Sequence, residues 1–420
     1  MHANLEESSQ KHVLLIESIT GLEQVKAMVA QSTLQSRWEK ITGMLAQSGM
    51  KSRFISSFAL YSTALIQQLT TVALVFAGVY LIFEGQLSLG GLIATIMLSS
   101  RAIAPLGQVA SIAARYQSTM MSLDSIDNLM RSPVERQDDK NSIFQPAILG
   151  DIEFQEVTFT YPDHNKPALN KVSFKIKAGE KVAIIGKIGS GKSTIQKLLM
   201  ALYTPQDGKI LIDGVDHNQI DVVDLRSNMG YIPQDANLFY GTIRENILLG
   251  APNISEEQLH RALETSGLSK MINNESMGID LPVGEQGRFL SGGQRQMVSA
   301  ARGIANDTPI YLFDEPTTSL DTSSEAEFLR RVQPMLEPKT LILVTHKMHL
   351  LTLVDRVIVM DNGKIILDGA KEQILNQLSP KTENSKKTEN SDNGEMTATF
   401  INPVTKAQSR RSKRTIEVKK

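Results

Sequence analysis

The stretch KVAIIGKIGSGKST, Lys181 to Thr194, changes character twice within a few residues. Lys181 to Gly186 is an apolar run of the kind that a parallel sheet buries on both faces, and it feeds straight into a glycine loop. Gly186, Gly191, Lys192 and Ser193 fit G-x-x-x-x-G-K-[ST], with strand, loop and helix start in the order that pattern needs. The glycines let backbone N–H groups close on a β-phosphate, Lys192 neutralises β- and γ-phosphate charge, and Ser193 can ligate Mg2+. The fold this predicts is an α/β domain of the P-loop NTPase class.

A phosphate loop needs a metal carboxylate and a group that orients water. PIYLFDEP, Pro309 to Pro316, is a second apolar strand ending in Asp314 and Glu315, which supplies one carboxylate for Mg2+ and an adjacent one for the attacking water. TLILVTH delivers His346 from a third strand end, where a donor could reach the γ-phosphate. Taken singly, an acidic pair or a histidine at a strand end is as well explained by surface charge or packing. Ligands gather at the carboxyl ends of parallel strands, and that raises all three together.

FLSGGQRQM, Phe289 to Met297, has the makings of a second anion site. Ser291 and two glycines precede Met297, Val298, Ala301 and Ile304 at helical spacing, so backbone N–H groups point out of a helix start.

Upstream the composition shifts. Ile16, Ile19, Leu22, Val25, Met28 and Val29 form a stripe among Glu, Lys and Gln, which predicts a polar amphipathic helix over 14–51. Phe54 to Phe83 is thirty residues without a charge, longer than the roughly 20 that a bilayer crossing requires. Leu87 to Leu98 is shorter and is followed by Arg101, so it crosses only as the return leg of a hairpin, 54–107. Lys51 and Arg53 precede the first leg, Arg101 and Arg115 follow the second, and Glu84-Gly85-Gln86 carries no cation, which keeps both ends cytoplasmic. A polar linker is expected over 122–150.

In the 420 residues, 41% are apolar and 21% charged, and the net charge is −1. These values suit a folded chain and offer no overall basic signature for nucleic acid. The absence of cysteine excludes disulfides and thiolate metal sites, and the seven histidines are scattered. The last residues, 379–420, repeat KTENS, carry ten Lys/Arg against five Asp/Glu, and are expected to be a disordered, solvated tail.

Six segments in order then make the chain resemble an ABC transporter. They are Gly186 to Thr194, YIPQDANLF (Tyr231 to Phe239), LSGGQRQ (Leu290 to Gln296), LFDEP (Leu312 to Pro316), SLD (Ser319 to Asp321) and THK (Thr345 to Lys347). The resemblance covers 151–378 as a nucleotide-binding domain, with 1–121 as a partial helical transmembrane domain. It implies ATP and Mg2+ as cofactors, with Gly189, Ser190 and Thr194 joining the phosphate cradle. It puts Gln234 at the catalytic centre and on the metal, Tyr161 of FTYPD against adenine, and Gln294 and Asp321 on the nucleotide. Because nucleotide domains of this family pair head to tail, Ser291, Gly292 and Gly293 of one copy would close on ATP held by the other.

The segment ESITGLEQVKAMVAQSTLQSRWE, the apolar hairpin and DLRSNMGYIPQDANLFYGTIRENI together resemble a bacterial type I secretion exporter. That resemblance implies an inner-membrane subunit, in contact with lipid, working with a periplasmic adaptor and an outer-membrane channel on a secreted toxin, adhesin or protease. Gln286 in Gly284-Glu285-Gln286-Gly287 stands where many exporters carry Arg. A lipid or drug exporter, a non-transporting exporter remnant and a soluble ATPase of the same type are the alternatives. The family's membrane domain has six crossings, so a single hairpin is expected to bind ATP without transporting on its own.

Overall fold

A computed structural model of the chain describes residues 2–132, 134–135, 145, 147–162 and 164–378. The expected tail at 379–420 and most of 133–146 lie outside the described residues, as does the side chain of Arg115. The chain divides into two units, Met1–Gln137 and Asp138–Lys420.

The first unit is helical: α1 (His2–Thr20), α2 (Leu22–Ala27), α3 (Gln31–Phe83) and α4 (Leu89–Met130). Where the apolar stripe predicts one helix over 14–51, the chain breaks at Gly21 and again after Ala27. At the second break Val29 takes a left-handed φ of 53°. The Ala30 N–H then reaches back to the Val25 carbonyl at 2.9 Å, closing the helix end. A β-branched residue rarely adopts that conformation, so nothing in the residue pattern announces the stop.

Ala64–Phe83, inside α3, is the one helix among the described residues long and apolar enough to cross a membrane; Leu89–Ala102 is a shorter apolar helix. The chain turns at 84–88, Ser88 caps α4 by accepting from the Gly91 N–H at 3.1 Å, and α4 returns along α3. The two helices come closest at Gly78, where a Cβ would lie 2.2 Å from Leu92 Cδ1. A small residue at a helix contact is what permits such approach. Phe76, Val79 and Phe83 stay exposed on α3. Helix α4 runs past Ser122, where a polar linker is expected, because Leu123, Ile126, Leu129 and Met130 keep helical spacing and Arg131 pairs with Asp127 at 2.7 Å.

The second unit holds two sheets. The antiparallel one orders β1 (Ile152–Phe159), β2 (Leu169–Ile176), β4 (Asp207–Ile212) and β5 (Val215–Asp216) as β2-β1-β4-β5. The larger comprises β3 (Lys181–Gly186), β6 (Met229–Ile232), β7 (Ile310–Asp314), β8 (Thr340–Val344), β9 (Arg356–Asp361) and β10 (Lys364–Ala370). Its order is β10-β9-β3-β8-β7-β6, parallel except for the edge strand β10. Helices α5 (Lys192–Leu199), α6 (Val222–Ser227), α7 (Ile243–Leu248), α8 (Glu256–Ser266), α9 (Leu268–Asn273), α10 (Gly292–Ile304), α11 (Thr322–Met335) and α12 (Lys371–Leu378) connect the strands.

Strand residues alternate between faces, and that alternation builds two cores. Val182, Ile184, Leu312, Ile342 and Val344 pack with the antiparallel sheet and α5. Their neighbours Ala183, Tyr311, Phe313, Leu341 and Leu343 pack on the opposite face with Val298 of α10, Leu259 of α8 and Phe328 of α11. The parallel sheet is therefore covered on both sides, which is why β7 and β8 are apolar at nearly every position. Asp213 anchors the start of the unit, its carboxylate accepting from the N–H groups of Leu149 (2.6 Å), Gly150 (3.1 Å) and Asp151 (2.9 Å).

His217 is 1% exposed, with Nδ1 3.6 Å from Asp216 Oδ1. Burial pushes its imidazole below the ordinary 6.5, against a smaller upward pull from Asp216. The folded unit thus keeps it neutral while the unfolded chain takes up a proton as pH falls below 6.5. Stability present above that value is lost on acidification. The urea midpoint should drop between about pH 7.5 and about pH 5.5, and drop less in His217→Gln, which cannot titrate. Equal drops in both proteins would remove His217 as the source.

Candidate nucleotide site

The site is an edge of the parallel sheet. Ile184 of β3 pairs with Val344 of β8, Val344 with Asp314 of β7, and Phe313 with Ile232 of β6. The carboxyl ends of these strands therefore line up at steps of about 4.8 Å. What leaves that edge is the glycine loop after β3, Thr345-His346 after β8, Asp314-Glu315 from β7 and Gln234 after β6.

The loop has glycine where no other residue fits. A Cβ at Gly186 would lie 2.2 Å from the Met360 carbonyl oxygen, and one at Gly191, whose φ is 97°, 2.5 Å from that of Ala168. Gly189 is exposed at the loop tip, while Ser190 is buried with its hydroxyl unpartnered. Gly191 precedes α5, whose first N–H groups face the loop. The Lys192 ammonium lies over the loop, donating to the carbonyls of Gly186 (3.0 Å) and Lys187 (2.9 Å). Burial pushes it down from its ordinary value, while Glu315 and Asp314 draw it up.

Asp314 is 4% exposed and its Oδ1 has no partner. Burial pushes its carboxyl up, the Ser193 hydroxyl hydrogen-bonded to it and the nearby Lys197 and Lys192 pull it down, and Glu315 adds to the rise. An orphaned carboxylate oxygen beside a serine hydroxyl is a donor set suited to a hard, oxygen-seeking cation such as Mg2+.

Glu315 takes a left-handed φ of 49° and is 7% exposed. Its Oε1 lies 2.6 Å from His346 Nδ1, its Oε2 accepts from the Thr345 hydroxyl at 3.3 Å, and its N–H donates to the Val344 carbonyl at 2.9 Å. The structure thus brings Glu315, His346, Asp314, Ser193 and Lys192 together. Gln234 is exposed and, among the described residues, makes no hydrogen bond to this group.

Tyr161 flanks the start of α5, its hydroxyl 3.2 Å from that of Thr194. Its ring meets Phe159 and Tyr203 edge-on, with centroids 4.9 and 5.2 Å away, and the Lys197 ammonium 5.8 Å away.

The Ser291 stretch does begin a helix. Ser291 caps α10 in a reciprocal box, accepting from the Gln294 N–H at 3.2 Å while the Gln294 side chain accepts from the Ser291 N–H at 2.7 Å. Gln294 is thereby occupied, and Ser291 is exposed with Gly292 and Gly293 behind it. Among the described residues no hydrogen bond joins Ser291–Gln294 to the glycine loop of the same chain. Both oxygens of Asp321 are taken up at the head of α11, by the N–H groups of Ser323 and Ser324 and by their hydroxyls, which holds this carboxyl far below its usual range.

Two glutamines complete the frame, Gln196 outside every motif and Gln296 at the end of LSGGQRQ. Gln196 is fully buried on α5 and donates to the carbonyls of Phe313 and Ile342, 3.0 Å each, tying the phosphate helix to β7 and β8. Gln296 of α10 donates to the Pro316 carbonyl at 2.9 Å, just beyond Glu315. The signal for Gln196 was a polar residue among Ile195, Leu198 and Leu199, one turn past Lys192.

Comparison with known proteins follows this geometry. Residues 169–318 match the ABC transporter family and residues 4–106 match the ABC transporter transmembrane region. The chain is 35% identical over 368 residues to the leukotoxin translocation ATP-binding protein LktB of Mannheimia glucosida, covering 88% of this chain and 52% of that protein. The LktB of Bibersteinia trehalosi matches with the same identity and coverage. The chain spans about half the length of the curated relatives it matches. Among solved structures, a bacterial Atm1-family ABC exporter with ATP bound superposes with a TM-score of 0.80 at 29% identity, covering 89% of this chain and 65% of that one.

Gln196→Leu keeps the volume and removes the donor shared by two strand carbonyls. Unfolding stability should fall by roughly 1 kcal/mol or more, read from denaturant midpoints. An unchanged midpoint would show that α5 does not depend on this tie.

Proposed function

This chain belongs to the ABC transporter family, and from that premise we propose that it binds ATP with Mg2+ and hydrolyses it to drive export across a bacterial inner membrane. The observation that carries the reading is the buried Glu315, held against His346 at 2.6 Å beside the orphaned oxygen of Asp314 and the loop that ends in Lys192.

In this reading ATP enters with its phosphates on the N–H groups of the glycine loop and the head of α5. Lys192 exchanges the carbonyls of Gly186 and Lys187 for the β- and γ-phosphate oxygens. Ser190 and Thr194 line the cradle, and Tyr161 stacks on adenine, a contact worth roughly 1–3 kcal/mol by analogy with base stacking. Ser193, Asp314 and Gln234 would hold Mg2+, which neutralises phosphate charge when bound. Glu315 orients the attacking water and takes its proton as the bond to the γ-phosphorus forms and ADP leaves. His346 holds Glu315 in place and offers its other ring nitrogen to the γ-phosphate.

A second copy would pair head to tail, so that its Ser291, Gly292 and Gly293 meet the γ-phosphate held here. The exposed, capped start of α10 supports this, having free N–H groups and no tie to the glycine loop of its own chain. Asp321, its oxygens committed to α11, would act on the nucleotide through the position of that helix.

Type I secretion is the transport class we favour, because the LktB relatives are leukotoxin translocation proteins. A periplasmic adaptor, an outer-membrane channel and a secreted protein would then be the partners. A lipid or drug exporter is the second reading, since the solved neighbour is an ABC exporter of another kind, the Atm1 family. Stimulation of hydrolysis by an unfolded C-terminal segment of a secreted toxin supports the first, and stimulation by lipid or drug alone supports the second.

Glu315→Gln should leave ATP binding within about twofold while slowing hydrolysis by about a hundredfold or more. Lys192→Ala should weaken binding itself. A mixture of Ser291→Arg and Lys192→Ala chains should regain activity that each lacks alone, through the one intact site of a mixed dimer. Parent-rate turnover by Glu315→Gln, or inactivity of mixtures proven to contain mixed dimers, would count against these roles.

A further inference from the structure

Glu325 is 4% exposed, one turn into α11, and four donor contacts from three side chains converge on it. The Thr317 hydroxyl donates to its Oε1 through a short hydrogen bond. The Lys347 ammonium lies 3.2 Å from Oε1 and 3.0 Å from Oε2, and His349 Nε2 lies 2.7 Å from Oε1. Lys347 also donates to the Thr317 carbonyl at 2.9 Å. Burial alone pushes a carboxyl up, yet these donors outweigh it and leave Glu325 below its ordinary value, so the charged form is the one the fold accommodates.

The placement of the partners matters more than their number. Thr317 stands two residues beyond Glu315, and Lys347 one beyond His346. Between them the Lys347 N–H donates to the Thr345 hydroxyl at 3.0 Å, and that hydroxyl donates to Glu315 Oε2 at 3.3 Å. A closed circuit results: Glu315 to Thr345, Thr345 to Lys347, Lys347 to Glu325, Glu325 to Thr317, and Thr317 back along the chain to Glu315. Helix α11 supplies the fixed point, because Asp321 caps it with both oxygens. Glu315 itself sits in a left-handed conformation that a glutamate holds only when its surroundings over-determine it.

We propose that Glu325, acting through Lys347 and Thr317, is a positioning residue that fixes the segment bearing Glu315 against the one bearing His346. The proposal rests on the hydrolytic reading above for its effect on turnover, while its effect on the two segments is independent of that reading. The net charge of the circuit is the important quantity. Removing Glu325 leaves the Lys347 ammonium without its counter-charge, and removing Lys347 leaves a buried carboxylate short of a cation. Removing both leaves a neutral pair.

The experiment uses the full chain in detergent or nanodiscs. Glu325→Gln and Lys347→Met should each lower kcat for ATP hydrolysis about tenfold, with KM and the affinity for a fluorescent ATP analogue within about twofold, and the double variant should be no worse than either single one. Lys347→Arg, which keeps the cation, should retain kcat within about threefold, and it covers the case in which Glu325→Gln does not fold. Without nucleotide, amide exchange should rise together over 314–321 and 344–349 in Glu325→Gln or Lys347→Met, with the sheet core unchanged. Exchange unaltered in both segments overturns the proposal, whether or not the chain hydrolyses ATP. A parallel loss of KM, kcat and melting temperature overturns it too, because that pattern belongs to a merely stabilising pair. Coupled exchange in a chain that never hydrolyses ATP supports the circuit and counts against the hydrolytic reading alone.

Discussion

The parallel register of β3, β8, β7 and β6 is the constraint on which the rest of the second unit depends. A parallel ladder sends every strand out at the same edge, so four loops distant in sequence emerge side by side. That edge brings Lys192, Asp314, Glu315 and His346 together. The pairing of Val344 with both Ile184 and Asp314 sets this arrangement directly. A slip of one residue there would turn alternate side chains to the wrong face and dismantle both cores along with the site.

Holding that edge rigid requires polar ties inside an apolar interior, and the chain provides them sparingly. Gln196 ties the phosphate helix to two strands, Gln296 ties α10 to the peptide after Glu315, and Thr345 bonds Glu315 itself. Each is buried and donates to a backbone or carboxylate oxygen, as a low-dielectric interior favours. Several buried polar atoms among the described residues break the rule, Gln196 Oε1 and Ser299 Oγ among them. The Asp314 Oδ1 and the Ser190 hydroxyl are buried without partners, and both border the glycine loop. Where such orphans border a glycine loop, a ligand bound there would restore the balance.

The grouping of the candidate site was largely legible from the sequence because its patterns are local. Glycine spacing, the acidic pair at the end of PIYLFDEP and the serine before GGQ each reflect constraints within a few residues, and each lies where a strand ends or a helix begins. The first unit was less legible. A stripe of apolar residues cannot reveal that Val29 will accept a strained φ, nor that α4 will persist beyond Ser122, since tertiary packing and short-range pairing overrule composition at such points. Glu325 was hidden for a different reason. Its partners are eight, twenty-two and twenty-four residues away, and only the fold brings them together.

Internal bonds satisfy the two oppositely charged side chains at the centre of the candidate site. Lys192 is satisfied by two carbonyls of its own loop and Glu315 by His346 and Thr345, so neither charge is left bare. The cost of holding Glu315 in its left-handed conformation is borne by the surrounding bonds. Among the described residues no hydrogen bond ties the exposed start of α10 to the glycine loop of its own chain, which leaves that start available to the second copy of the proposed reading.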